Sequence, residues 1–224
     1  MNYVKLLLIP VVAVLFSVNV VAQSKIKVAE QSKKMSKGTN PGLTVNIPEA
    51  DLKNVEKSWK KLMKKYSAKM SNSSGDLLAQ GAEIKNISDM SMNVYANISK
   101  SGDGINMIVF FDLGGTYLSQ SSHATEYKVA EKIVYNFAVK AATEAVEGQL
   151  KEAEKALSEL EKDRSKLEKE NEGLENDIDK YNNSIKNAEN TIDNNVKTIN
   201  KKNEDIANQD KVVADIKERL KKIK

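Results

Sequence analysis

Hydrophobic positions along this chain recur at three different intervals, and each interval predicts a different element. Residues 43–47, LTVNI, alternate as a strand does; Pro48 breaks the run and suits the first position of a helix. From Glu49 onward, Leu52, Val55, Trp59, Leu62, Met63 and Tyr66 form one stripe of an amphipathic helix. Glu49 and Asp51 stand near its positive end, Lys64 and Lys65 near its negative end, and SNSSG at 71–75 stops it. Leu77 to Ile84 reads as a weaker strand or bent hairpin interrupted by Gly81. In MSMNVYANIS, 90–99, Met92, Val94, Ala96 and Ile98 share one face. SGDG at 101–104 is a hairpin turn, because Asp-Gly tolerates the positive φ such turns need. INMIVFFDL, 105–113, answers with Ile105, Met107, Val109 and Phe111 inward, while Ile108 and Phe110 predict partial cover on the other face. Gly114 and Gly115 end that strand and leave TYLS as a short continuation.

A second helix starts after Ser121-Ser122, with a wide stripe of Tyr127, Ala130, Ile133, Val134, Phe137, Ala138 and Ala141, as a helix lying on a sheet carries. Beyond Gly148 the stripe narrows to a step of seven. Leu150, Leu157, Ile178, Ile185, Ile192, Ile199, Ile206, Val213 and Leu220 fall on the a-positions, with Arg164 and Asn171 interrupting them. Three residues on, Leu160, Leu167 and Leu174 occupy d, as do Ala153, Tyr181, Ala188, Ile216 and Ile223, while Asn195, Lys202 and Gln209 are its polar members. The register holds over about eleven heptads, which is the mark of a coiled coil, and polar seam residues fix register or partner number at a cost in stability. As one rod, 150–224 would span about 110 Å at about 1.5 Å per residue. A helical hairpin is the alternative geometry. Antiparallel pairing, within one chain or between two, would bring acid-rich EKENEGLENDID (168–179) to basic IKERLKKIK (216–224). The unbroken register and the lack of a Gly or Pro turn near the middle favour the rod.

The predicted fold is therefore α+β, a small antiparallel sheet with helices on one face, followed by a long α-helical coiled coil. The head is expected at 43–147 and the coiled coil at 148–224. Ahead of them, QSKIKVAEQSKKMSKGTNPG (23–42) is lysine- and serine-rich, lacks a period, and reads as a flexible leader closing in a turn. Residues 1–22 read as a signal peptide. Lys5 gives a positive start, Leu6 to Val14 an apolar run broken only by Pro10, and Val20 and Ala22 the small residues needed for a cut at Ala22-Gln23. The run is short for an uncleaved anchor, and no second one approaches membrane length. Periplasmic or secreted location follows as the expectation, with no membrane span after cleavage.

Composition narrows the chemistry. The chain has no cysteine, which removes a lipid-anchored cysteine, disulfides and thiolate metal sites. Its formal charge of +4 gives no overall polyelectrolyte character. No Gly-Lys pair exists for a nucleotide phosphate loop, and Gly114-Gly115 is better explained as a strand end. His123 is the sole histidine, placed by serines at a helix start where solvation or capping is its expected role; alone and without cysteine it makes a poor zinc set. Asp76, Glu83, Asp89, Asp103 and Asp112 lie in the head without the context of a hydrolytic carboxylate pair. Between 25 and 69 twelve lysines meet four acids, so a basic face with Trp59 and Tyr66 could grip a polyanion. Those aromatics belong to the apolar stripe, however, and core packing is their expected role. No catalytic residue, cofactor or metal is predicted.

VNIPEADLKNVEKSWKKLMKKY, VFFDLGG and the lysine-, glutamate- and asparagine-rich tail together resemble uncharacterised exported proteins of the Bacteroidetes kind, over nearly the whole mature chain. The resemblance attaches no activity. A label such as DNA-repair ATPase, which heptads alone attract, is opposed by the missing phosphate loop and the export signal. The expected function is a non-enzymatic exported structural or adaptor protein. Its head would bind, and its coiled coil would oligomerise, act as a spacer or join a helical partner, with an envelope protein among the candidates. A periplasmic coiled-coil regulator of an envelope hydrolase is the alternative, and a polyanion-binding protein stands behind both.

Overall fold

The computed structural model describes residues 25–102 and 104–223. The signal peptide and cleavage site expected from the sequence, and Asp103 of the predicted turn, lie outside the described residues. By its contacts the chain divides into two units, Met1–Glu152 and Ala153–Lys224.

The first unit holds β1 (Val28–Met35), β2 (Gly38–Pro48), α1 (Leu52–Lys65), β3 (Lys69–Ser73), β4 (Asp76–Ala82), β5 (Met92–Ser101), β6 (Gly104–Asp112) and the first turns of α2 (Ala124–Ile223). The strands form one six-stranded sheet in the order β1-β2-β6-β5-β4-β3, with every neighbour antiparallel. The class is α+β, as the periodicities predict. Inward residues of β2, β5 and β6, among them Leu43, Val45, Val94, Met107 and Phe111, share a core with Val55, Trp59 and Met63 of α1 and Tyr127, Val134 and Phe137 of α2. Trp59 and Phe137 meet edge to face, centroids 5.0 Å apart at 74°. Such a contact adds about 0.5–1.5 kcal/mol beyond its buried area. The indole Nε1 of Trp59 is buried and finds no hydrogen-bond partner among the described residues.

The flexible leader expected at 23–42 is corrected: most of it is sheet. Val28 to Met35 pair with Val45 to Gly38 across a two-residue turn at Ser36-Lys37. Only Val28 and Met35, at the ends of β1, are buried. β1 is an edge strand held by backbone hydrogen bonds, and its lysines guard the free edge against further pairing, so it shows no apolar alternation. Thr39-Asn40-Pro41-Gly42 lies within β2 rather than closing a leader. Pro41 is tolerated because β2 has β1 alone as its partner there; pairing to β6 begins at Leu43.

Pro48 likewise is the last residue of β2, not the first of a helix. Glu49, at φ 60°, turns the corner. Asp51 then caps α1, its carboxylate accepting from the Lys53 amide at 3.2 Å and the Asn54 amide at 3.1 Å. The helix ends earlier than SNSSG. Ser67 takes the left-handed conformation at φ 62°, its amide donates to the Lys64 carbonyl at 3.2 Å, and the Ala68 amide donates to Met63 at 3.3 Å. That closure frees Lys69–Ser73 to form β3, and Ser74-Gly75, both with positive φ, make the hairpin to β4. SNSSG thus finishes β3 and supplies its turn.

β4 bends as expected, with a register shift between Ala79 and Ala82 around Gly81. β5 and β6 follow the predicted faces. TYLS does not continue β6 as a strand, since only the single bridge Asp112–Tyr117 forms. The Asp112 carboxylate accepts from the amides of Gly114 and Gly115 at 3.0 and 2.8 Å, tightening the turn that brings Tyr117 back.

Among the described residues no helix covers the second face of the sheet, yet Phe110 is fully buried there, with Tyr95, Ile108 and Met35 beside it and Leu78 and Tyr117 packed against them. The sheet supplies its own cover by curling. The Ser36 amide, in the β1–β2 turn, donates to Asp76 at the start of β4 across 2.7 Å, although those hairpins occupy opposite ends of the strand order. Asn97 of β5 donates to the other oxygen of Asp76 at 3.1 Å, so this carboxylate is buried and twice satisfied.

Helix α2 runs without a break from Ala124 to Ile223, so the helical hairpin is not formed. No proline follows Pro48, and Gly148 and Gly173 are absorbed in the helix at about 1 kcal/mol each.

Two glycines give opposite expectations. A Cβ at Gly42 would stand 2.6 Å from Cε1 of the fully buried Phe110 ring. Gly42→Ala should therefore destabilise by about 1–3 kcal/mol. Gly148 is helical with open space around it, and Gly148→Ala should stabilise by up to about 1 kcal/mol. Urea denaturation of the two variants measures both; a neutral Gly42→Ala would mean that the second face is loosely packed.

Candidate functional site

The second unit contains no buried residue between Ala153 and Lys222. Most of its large apolar side chains nonetheless keep to the predicted seam, with Val196 and Val212 bordering it. Leu150, Leu157, Leu160, Leu167, Leu174, Ile178, Ile185, Ile192, Ile199, Ile206, Val213 and Leu220 are all left between 39% and 67% exposed by the chain itself. Covering one such half-exposed Leu or Ile contributes about 1 kcal/mol, so the line as a whole is a large reserve of binding free energy.

Local bonds hold the helix without using that reserve. Arg164 pairs with Glu168 at 3.5 Å, Lys180 with Asp177 at 3.0 Å and Lys202 with Asp205 at 3.9 Å. These pairs are well exposed, and solvent screening leaves them about 0.2–1 kcal/mol or less apiece. Ser184, Thr191 and Thr198 return their hydroxyls to the carbonyls of Lys180, Asn187 and Asn194 at 2.9–3.0 Å. The three hydroxyl residues are seven apart and border the seam, so one side of its middle is flanked by neutral groups. Polar Arg164 and Lys202 sit on the seam line, each tied to an acid of its own helix. Chemically, the arrangement offers apolar contact to another helix.

In the first unit the residues singled out for chemistry are dispersed. The His123 carbonyl accepts from the Tyr127 amide at 2.8 Å in the first turn of α2, and its Nδ1 lies 3.1 Å from the Ser122 hydroxyl. The Ser119 hydroxyl stands 2.6 Å from that of Ser122 and accepts from the Ser122 amide at 3.3 Å, a local turn before the helix. Asp76 ties the curled sheet, Asp112 caps the glycine turn, and Glu83 and Asp89 are exposed. Among the described residues no group of three or more His, Asp or Glu is placed to hold a metal ion. Trp59 is fully buried and Tyr66 half-buried against the same core. Lys53, Lys57, Lys60, Lys61 and Lys64 line a shallow open groove of about 520 Å³ on α1, apart from Trp59, which packs in the core as its place in the apolar stripe predicts.

Sequence reasoning did not find two features of this unit. A cavity of about 310 Å³ lies between the end of α1 (Tyr66), the segment after β4 (Glu83, Lys85, Asn86) and α2 (Lys132, Asn136). Three separate segments build it, and none carries a motif. The other is the pair of tyrosines on the second face. Burial, then the charge of Asp112, then that of Asp76 push the Tyr95 hydroxyl above its ordinary pKa. Tyr117 is raised by burial, Asp112, Tyr95 and Asp76 in that order. The out-of-phase apolar residues Ile108 and Phe110 were the one signal of this site. No protein-family model, curated protein or solved structure matches the chain.

The tyrosines set an alkaline limit. An unfolded chain releases both phenolic protons near the ordinary value of 10.0, whereas the folded protein holds them to higher pH. Their contribution to stability is complete below pH 10.0 and is lost as pH rises through and beyond that value. The melting temperature should fall on this limb, and Tyr95→Phe with Tyr117→Phe should flatten the fall. Calorimetry across the alkaline range reads it; an unchanged slope in the double variant would assign the loss to other groups.

Proposed function

We propose that this is an exported, non-enzymatic structural or adaptor protein whose α+β head binds and whose long helix pairs as a coiled coil to oligomerise or space what the head holds. One observation carries the proposal: a seam kept in step of seven along α2 and left half-exposed by its own chain. A helix this polar outside its seam gains little from its exposed ion pairs, and tertiary cover of one apolar face is what ordinarily sustains such a helix. The export part rests on residues 1–22, with their basic start, apolar run and small residues before Gln23, and on the likeness to exported Bacteroidetes-type proteins. For the head, the lysine groove of α1 and the cavity beside Tyr66 are two surfaces open to a partner.

The seam is tested at Ile192. Ile192→Asp places a carboxylate among apolar neighbours in each paired chain, at a cost of several kcal/mol. Asn190→Asp, two residues away on the solvated side, belongs with surface changes of under about 0.5 kcal/mol. Circular dichroism and sedimentation should show helicity and association falling together for Ile192→Asp and holding for Asn190→Asp. Equal and negligible effects would show that the tail is not a coiled coil.

A further inference from the structure

The occupant of the seam can be narrowed by its charges and its polar layers. Counting Lys and Arg against Asp and Glu, residues 150–180 hold seven against eleven, whereas 211–224 hold six against two. Two copies paired in parallel and in register would set acid beside acid at one end and base beside base at the other. The flanking g- and e-positions make this specific, because in a parallel pair each g faces the e of the other chain five residues on. Asp163 would face Glu168, Glu170 would face Glu175 and Asp205 would face Asp210, and no such g–e pair joins opposite charges. Arg164 would also meet Arg164 in the seam, and Lys202 would meet Lys202.

Antiparallel pairing places a-residues against d-residues, and nothing in its symmetry obliges polar to meet polar. One register does so. With Leu220 against Ala153 of the second copy, Arg164 meets Gln209, Asn171 meets Lys202, and Asn195 alone among the polar seam residues faces an apolar one, Ile178. The remaining layers pair apolar with apolar, including Leu157 with Ile216. Lys217 then falls between Glu154 and Glu161 of the other chain, an attraction the parallel arrangement lacks. A slip of one heptad sets Arg164 against Lys202, and the opposite slip sets Lys202 against Ile178. The same helix cannot satisfy itself, because α2 has no break in which to turn back.

We infer that residues 150–223 pair with a second copy of this chain, antiparallel and in the register that puts Leu220 beside Ala153. The inference rests on the reading of this segment as a paired seam and adds its occupant, direction and alignment.

The absence of cysteine makes the test direct, since introduced thiols have no native competitor. Ala153→Cys and Leu220→Cys, each in the full-length protein and carrying tags of different size, are annealed together, oxidised mildly and resolved without reductant. The antiparallel register yields the mixed 153–220 dimer as the dominant product, and each variant alone links poorly. Links of 153 to 153 and 220 to 220 would overturn the direction while leaving self-association intact. Sedimentation of the unmodified chain as a monomer, with no link of any kind, would overturn the second copy as occupant. Loss of helicity from Ile192→Asp in that monomer would still mark a seam, filled by another protein.

Discussion

Apolar surface on a helix holds structure together only where something covers it, and α2 presents such surface in two widths. Over its first turns the stripe is broad, built from Tyr127, Ala130, Val134, Phe137, Ala138 and Ala141, and the sheet with α1 covers it. Past Gly148 the stripe narrows to a seam one or two residues wide, and the chain leaves it about half-exposed. A helix packed on a sheet needs a wide face, because many strands run beneath it. A helix packed on one other helix needs only the a and d lines. One continuous element therefore serves the core of the first unit and then carries a half-exposed apolar line, and the change of period marks where the first duty ends.

The sheet solves a related problem in a different way. Two helices lie on one face, which leaves the other to water unless the strands cover it themselves. Curling accomplishes this, and three details permit it. Gly42 lets β2 pass over the Phe110 ring, the bulge at Gly81 bends β4, and Asp76 receives the Ser36 amide from the far hairpin. Asp76 is buried with two donors, so it fixes the curl while avoiding the penalty of an unsatisfied carboxylate. Tyr95 and Tyr117, enclosed by the same curl, inherit raised pKa values from burial and from the two nearby aspartates.

What could be read from sequence was whatever burial dictates. β5, β6, α1 and both stripes of α2 were legible because their side chains answer to a core or to a seam. β1 and β3 were not. They are edge strands with mostly polar side chains, fixed by backbone hydrogen bonds that any sequence can make. The end of α1 was misplaced because Ser67, rather than a glycine, adopts the left-handed closing conformation. Of the candidate site, the seam was visible as a step of seven, whereas the cavity beside Tyr66 was not, being assembled from distant segments. Lysines and aromatics crowd one stretch, but helical phase alone put Trp59 in the apolar stripe, and it lies in the core while Lys57 and Lys61 line the groove.

A repeat of seven in a helix of 3.6 residues per turn lags by about 20° in each heptad. Along a straight α2, from Leu150 to Leu220, the apolar line would wind roughly 200° around the axis, more than half a circumference. A flat or globular surface set against it could therefore touch only two or three heptads before the line turned away. Only an element that winds with it, another helix of comparable length in a left-handed supercoil, meets the line from end to end. The period of the repeat thus restricts which shapes could cover the whole line, before any side-chain detail is consulted.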